Sequence, residues 1–312
     1  MKHEKKGIVL AMLAAVVSGF SIPLNKMFVA ALEPAVFTMT RSLLIGVVFF
    51  ILAFWQTRKH PNILEKISGR GRITLSKAPW KWLLIIALIG GSMAFLFFFT
   101  GLKLTTAGRG AFIQKTLPLF ATLMAVVFLR EKVGRKGWTA LLAMLLGLLA
   151  ISYAQIGPSL WWESPSIGDA LILLATILWA VENVIARKVL KEGQTSFVVI
   201  FARMFFGGLF ILAAACVMGN PAALLKLSAS QSLNVLASTG LLLMYVLFWY
   251  SSLKLLPVSK ASPFLLLAPV ISLGIGVFCF GEPAPVLQLA GSALILAGAY
   301  CIAKTKDLVV AV

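Results

Sequence analysis

Ten apolar runs follow one another along this chain, at 7–29, 34–56, 80–101, 105–129, 135–154, 167–187, 195–218, 233–253, 258–280 and 285–303. Each has about the 20 residues that a helix needs to cross a bilayer. In hydrocarbon every backbone N–H and C=O must bond within the protein, which leaves only helices and closed barrels as spanning structures. Runs of this length are about twice a barrel strand. The expected fold class is therefore an all-α membrane protein with ten transmembrane helices. Composition agrees: charged residues make up 12% and hydrophobic residues 60%, against about 25% charged in a soluble domain. The start, MKHEKKGIVLAMLAAVVSGFS, imitates a secretory signal, with a basic flank, an apolar core and small residues. The internal repeat requires this segment as the first helix.

The formal net charge is +18, but no basic domain carries it. The positive side chains lie between apolar runs, and they are sorted by side. One side of the membrane collects 21 Lys and Arg, the other collects 4, and Arg41, Lys115 and Arg203 fall within spans. This positive-inside bias places both termini in the cytoplasm of an inner-membrane protein, with lipids as partners and no nucleic acid. Residues 155–169, QIGPSLWWESPSIGD, hold no Lys or Arg and two tryptophans, as an outer interfacial segment would. Cys216, Cys279 and Cys301 lie in apolar runs without metal-ligand spacing and read as small core residues. His3 and His60 are in polar flanks. No metal site or cofactor is expected. The nucleotide-binding pattern Gly-x-x-x-x-Gly-Lys-Ser/Thr is absent, which argues against nucleotide-driven pumping by this chain alone.

The chain is also duplicated. GIVLAMLAAVVSGFSIPLNK at 7–26 aligns with GDALILLATILWAVENVIAR at 168–187, an offset of 161. Arg41 matches Arg203 at an offset of 162. At an offset of 151, Leu102-Lys103-Leu104 falls on Leu253-Lys254-Leu255, Pro118 on Pro269, Glu131 on Glu282, and Ala140 and Gly147 on Gly291 and Gly298. So many ordered matches indicate two repeat units, 7–154 and 167–303. Five spans per unit is an odd number, so the second copy must enter from the opposite side. Such inverted repeats are built for alternating access around a cavity near the bilayer midplane.

Two motifs carry a family resemblance. One is W-A-x-x-x-V-x-x-[RK] at Trp179–Arg187; the other is a proline followed 13 residues later by glutamate, at Pro118…Glu131 and Pro269…Glu282. In these the chain, over 7–303, resembles the EamA-type members of the drug/metabolite transporter superfamily. The resemblance implies ten helices with both termini inside and a central cavity formed mainly by spans 1, 3, 4, 6, 8 and 9. It also implies export or exchange of small metabolites or amphipathic compounds. The first half departs from the pattern, with Ser18-Gly19 where the second has Trp179-Ala180.

The repeat acts as a filter for functional residues, since a side chain present in one copy only is freer to serve a ligand. Glu182 has Ser21 as its counterpart and lies roughly 20 Å along span 6 from Asp169. A carboxylate at that depth must bind a proton, meet a cation or face water. It is the candidate for proton coupling or for holding a cationic ligand group. Lys115, opposite Leu266 in the second copy, is the candidate for an anionic group. A direct Lys115–Glu182 bridge is one alternative, and snorkelling or a structural pair is another. Gln114, Asn183, Trp179, Ser21 and Asn25 could line the same polar cavity, or bond between helices. Arg41 and Arg203 occur in both copies and read as structural ties to backbone carbonyls or loops. Glu131 and Glu282 read as helix-end anchors. Pro118 and Pro269 should kink spans 4 and 9, shaping the cavity or acting as hinges. Small residues seven apart in spans 5 and 10 suit close scaffold packing or a homodimer contact. The runs MAFLFFF at 93–99 and YVLFWY at 245–250 could wall a site for ring-bearing or amphipathic ligands.

The expected function is secondary transport of small, amino-acid-like or amphipathic metabolites, coupled to protons or to exchange. The chain is not expected to be an enzyme, since an intramembrane enzyme would need paired acids, a histidine cluster or an activated nucleophile at depth. A non-transporting membrane sensor is the remaining alternative.

Overall fold

A computed structural model describes residues 2–30, 32–58, 78–157, 166–217 and 228–305. Ten long helices make up nearly all of it. They are α1 (Lys2–Ala30), α2 (Pro34–Arg58), α3 (Trp80–Leu104), α4 (Ala107–Phe128), α5 (Arg135–Ile156), α6 (Ile167–Lys191), α7 (Ser196–Val217), α8 (Ala229–Leu255), α9 and α10 (Val286–Lys304). α9 consists of three consecutive pieces, Val258–Ala261, Ser262–Leu266 and Leu267–Phe280. Among the described residues, nine helices are long and apolar enough to cross a membrane; α1 adds a 29-residue helix. Most of the 155–169 connection lies outside the described residues.

The helices start where side chains can satisfy their first N–H groups. Ser166 and Asp169 form a reciprocal capping box at the start of α6, and Ser228 and Gln231 form one at the start of α8. Four helices are internally interrupted, which the apolar runs alone do not disclose. α3 and α7 each contain a π-helical stretch, Ala87–Met93 and Ala202–Phe206. The two stretches meet at glycine: a Cβ on Gly91 would collide with the Arg203 carbonyl, and one on Gly207 with the Gly91 backbone. α4 breaks at Thr116, just before Pro118, and α9 passes through a 3-10 turn just before Pro269. Both interruptions lie just N-terminal to the matched prolines, where the missing N–H and the ring disrupt the preceding turn.

The packing has the symmetry of the repeat. α1 packs on α8 and on α9, as α6 packs on α3 and on α4; α2 packs on α7, and α5 on α10. Counterpart helices run in opposite senses. In the α5–α10 pair, a Cβ on Gly147 would meet the Gly291 carbonyl, and one on Gly298 the Ala140 carbonyl, so the helices are antiparallel. α1 and α6 obey the same rule. Ser252 of α8 bonds the Gly7 carbonyl and Ser238 bonds Asn25, so α1 and α8 are antiparallel. Glu182 and Asn183 of α6 meet Tyr250 and Trp249 of α8, and Arg187 bonds the Leu253 and Lys254 carbonyls, so α6 and α8 are parallel. α1 and α6 therefore point opposite ways, as an odd helix count per copy demands.

The small residues of α5 and α10 pack these helices against each other within one chain, the scaffold packing that their spacing suits. One sequence expectation changes. Cys216 and Cys301 are exposed on the helix surfaces rather than buried in the core; the side chain of Cys279 lies outside the described residues.

Candidate functional site

The interior contains a cavity with about 100 Å³ of room for the centres of water-sized molecules. It is built by α1, α2, α3, α4, α6, α7, α8 and α9. The seven polar and aromatic candidates from the sequence, Ser21, Asn25, Gln114, Lys115, Trp179, Glu182 and Asn183, all line it, with Pro118. Pro269 does not; it lines a neighbouring space that shares Ser18 and Lys115 with the main cavity. Helix geometry explains the grouping. Trp179, Glu182 and Asn183 are three and four residues apart on α6, and Ser18, Ser21 and Asn25 have similar spacing on α1, so each set forms one inward stripe.

Glu182 is 1% exposed and is fully engaged. Arg203 Nε lies 3.7 Å from its Oε2, and the Tyr250 hydroxyl donates a short hydrogen bond to its Oε1. Arg203 also donates to the Gly90 carbonyl at 3.1 Å, which accepts from the Trp179 indole at 3.1 Å as well. Trp249 donates to Asn183 Oδ1 at 2.8 Å. Gly90 is essential to this arrangement, because a Cβ there would overlap the Glu182 side chain. Lys115 bonds Ser18 Oγ at 2.7 Å, so the carboxylate's cationic partner is Arg203, and the direct Lys115–Glu182 bridge is not made. Chain direction is one reason: Glu182 lies on the same level as Gly90 and Arg203, while Lys115 reaches α1.

Arg41, read from the sequence as a structural tie, also lines the cavity. It donates to Ser238 Oγ at 2.7 Å and to Asn25 Oδ1 at 3.5 Å. Its guanidinium lies 4.2 Å from the Phe37 ring centre and 4.9 Å from that of Phe99. Nε and Nη2 have no partner among the described residues. Phe95, Phe98 and Phe99 from α3 and Tyr245, Trp249 and Tyr250 from α8 complete an aromatic wall. Sequence reasoning noted these runs without selecting single residues, since lipid-facing and cavity-facing aromatics look alike in a sequence. The Gly90-Gly91 pair was missed; two adjacent glycines inside a span were its only signal.

The two ends of the bundle differ. At the face holding the N-terminus, Glu131 at the end of α4 accepts from the Val258 and Ser259 amides at 3.0 and 2.9 Å and from Ser259 Oγ at 2.5 Å. Beside it, Lys260 bonds Glu4 at 2.6 Å and the Thr305 carbonyl at 2.8 Å. At the opposite face, Glu282 is exposed, and no described residue bonds its carboxylate. Residues 258–268 are all buried, whereas of their counterparts 107–117 only Gly110, Lys115 and Leu117 are.

The sequence profile of the EamA-like transporter family matches residues 5–153 and 166–304. An uncharacterized transporter, YyaM, of Bacillus subtilis (strain 168) is 25% identical over 69% of this chain and 70% of its own length. A probable amino-acid metabolite efflux pump of Salmonella typhimurium is 24% identical, over 95% of this chain and 94% of its own. One solved crystal structure has a TM-score of 0.73 at 17% identity, covering 96% of this chain and 98% of that one; this likeness concerns the fold.

Proposed function

The chain belongs to the EamA-like transporter family, and on that premise we propose that it exports or exchanges small metabolites by alternating access. It is a multi-pass membrane transporter. In the proposed setting it lies in the cytoplasmic membrane with both termini inside, a reading supported by the 21-to-4 bias of Lys and Arg. The relative named as an amino-acid metabolite efflux pump supports outward movement of small, amino-acid-derived compounds.

One observation supports this reading: at one face Glu131 bonds the start of α9, while at the other its repeat counterpart, Glu282, is exposed. Glu131 and Glu282 sit in the same local turn. Each amide bonds the carbonyl six residues back, Ala125 or Gly276, and each preceding residue is left-handed, Arg130 at φ 55° and Gly281 at φ 67°. In both, the helix ends at a left-handed residue, as many helices do, and the amide after it folds back onto the last turns. Glu131 caps the amides of Val258 and Ser259; the counterparts of those residues, at an offset of 151, are Ala107 and Gly108. In the alternate state Glu282 caps Ala107 and Gly108, and Glu131 lets go. The two states then exchange conformations between the repeats, and the cavity opens to the N-terminal face.

Protons enter this scheme at Glu182. A proton on its carboxylate removes the ion pair with Arg203 and leaves the guanidinium uncompensated, so proton arrival and rearrangement of α6 against α7 are linked.

The test is counterflow. Purified protein is screened by thermal shift against amino acids, nucleosides, sugars and cationic drugs, and stabilising compounds are loaded into liposomes bearing the protein. Accumulation of labelled compound against excess internal compound is expected, and its loss in a Glu131→Ala, Glu282→Ala double variant. Binding without flux for every stabilising compound overturns transport.

A further inference from the structure

We infer that the cavity, whose wall holds the cations Arg41 and Lys115 without an acid for either, binds an organic anion whose apolar body rests on the α3 aromatic wall. The inference rests on the transport reading only for what happens after binding. It comes from a mismatch between the two repeats. In the second copy, Arg203 meets Glu182 and lies 5.8 Å from the Tyr250 ring centre. The counterparts of Glu182 and Tyr250 in the first copy are Ser21 and Phe99. Arg41 therefore occupies its equivalent position without a carboxylate and without a phenol. Ser21 does not replace the acid, because it is uncharged; its hydroxyl donates to the Val17 carbonyl at 2.7 Å.

What remains is an arginine 1% exposed, with two nitrogen atoms unpartnered among the described residues, in the wall of a cavity. Isolated burial of such a cation is costly, and its fork of donors suits a bidentate anion. Lys115, 5% exposed, is the second such cation, with only the neutral Ser18 hydroxyl as its described partner. Gln114 presents an unpartnered Oε1 beside it. The one acid lining the cavity, Glu182, is already neutralised by Arg203. Counting Arg41, Lys115 and Arg203 against Glu182, the cavity holds two positive charges more than negative ones. A cationic ligand is repelled, and a zwitterion finds no free acid for its ammonium. An anion with a hydrophobic body matches both the charge and the Phe95, Phe98, Phe99 and Trp179 surface. Carboxylate and phosphate share the required chemistry.

The full chain, purified in detergent, is titrated with 3-phenylpropionate, its amide and 3-phenylpropylamine, which share one body and differ in charge. Phenyl phosphate forms a parallel arm that separates the two anion classes, and phenylalanine tests the zwitterion. The carboxylate or the phosphate is expected to bind at least about tenfold more tightly than the amide, the amine and phenylalanine, as loss of a charge-assisted contact implies. Arg41→Gln and, independently, Lys115→Gln should each weaken anion binding by about tenfold. Arg41→Lys keeps the charge and should recover binding only in part, because the fork is lost. Equal binding of amide or amine, unchanged affinity in Lys115→Gln, or no binding by either anion overturns the inference. Because binding is read without flux, a protein that binds anions but fails counterflow refutes transport and keeps the anion site.

Discussion

The two repeats carry the same arginine and the same glutamate and use them differently. Arg203 is paired with a carboxylate; Arg41, its counterpart, lies against aromatic rings with donors to spare. Glu131 caps the start of α9; Glu282, its counterpart in the same local turn, is exposed. The contrast separates two kinds of asymmetry. The arginine difference is written into the sequence, since Ser21 and Phe99 stand where the second copy has Glu182 and Tyr250. It should persist in every conformation. The glutamate difference has less cause in the sequence: the turns and acids match, although Gly108 lacks the hydroxyl of its counterpart Ser259. On the proposed mechanism it belongs to the state of the molecule, and it should reverse.

The sharpest way to break the first contrast is thermal unfolding of Arg203→Ala beside Arg41→Ala. Removing Arg203 leaves a buried, unpaired carboxylate and should cost about 3–5 kcal/mol, read as a large drop in melting temperature. Removing Arg41 takes away an uncompensated cation and should cost less than half as much; equal losses would remove the distinction. Gly90→Ala probes the same pair from outside it, because its counterpart is Leu241 and only the second-copy acid needs the room. Overlap with Glu182 should cost about 1–3 kcal/mol, and a variant as stable as the parent would contradict the packing.

For the second contrast, a reporter cysteine at Ser262 measures opening at the N-terminal face. Glu131→Ala should speed its labelling at least about tenfold, since even one of the three lost bonds to a charged acceptor is worth about 1.5 kcal/mol. Glu282→Ala should leave that labelling unchanged yet slow counterflow, because it removes the latch of the other state. Identical effects of the two variants would mean that neither acts as a gate. The smallest effect belongs to Glu182→Gln, which keeps the side-chain shape while removing the titrating group. The pH dependence of counterflow should flatten, with folded yield near normal, and an unaltered pH profile would exclude Glu182 from coupling.

Much of the site was legible because α6 and α1 present their polar residues at helical spacing. Glu182, Asn183 and Trp179, like Ser21 and Asn25, can be placed on one face from the sequence, and all five reach the cavity. Arg41 and Arg203 read from the sequence as structural ties, and Arg203 does bond the Gly90 carbonyl; it also meets Glu182, and both arginines line the cavity. A residue retained in both copies can be neutralised in one and left without an acid in the other. That difference is visible only once the counterparts of its partners, Ser21 and Phe99, are known to be its neighbours.

The amino-acid sequence by itself determined the solvent of this protein, its ten crossings and the inverted threading of its halves, because hydropathy, span length and parity are properties of the chain read in order. Tertiary structure alone decided that Glu182 pairs with Arg203 rather than Lys115, and that Glu131 bonds the start of α9 while Glu282 is exposed. Those outcomes join residues 21 and 127 or more positions apart, and they depend on how interrupted helices cross. No local periodicity encodes such distances, since a break of one turn in α3, α4, α7 or α9 rotates every side chain beyond it.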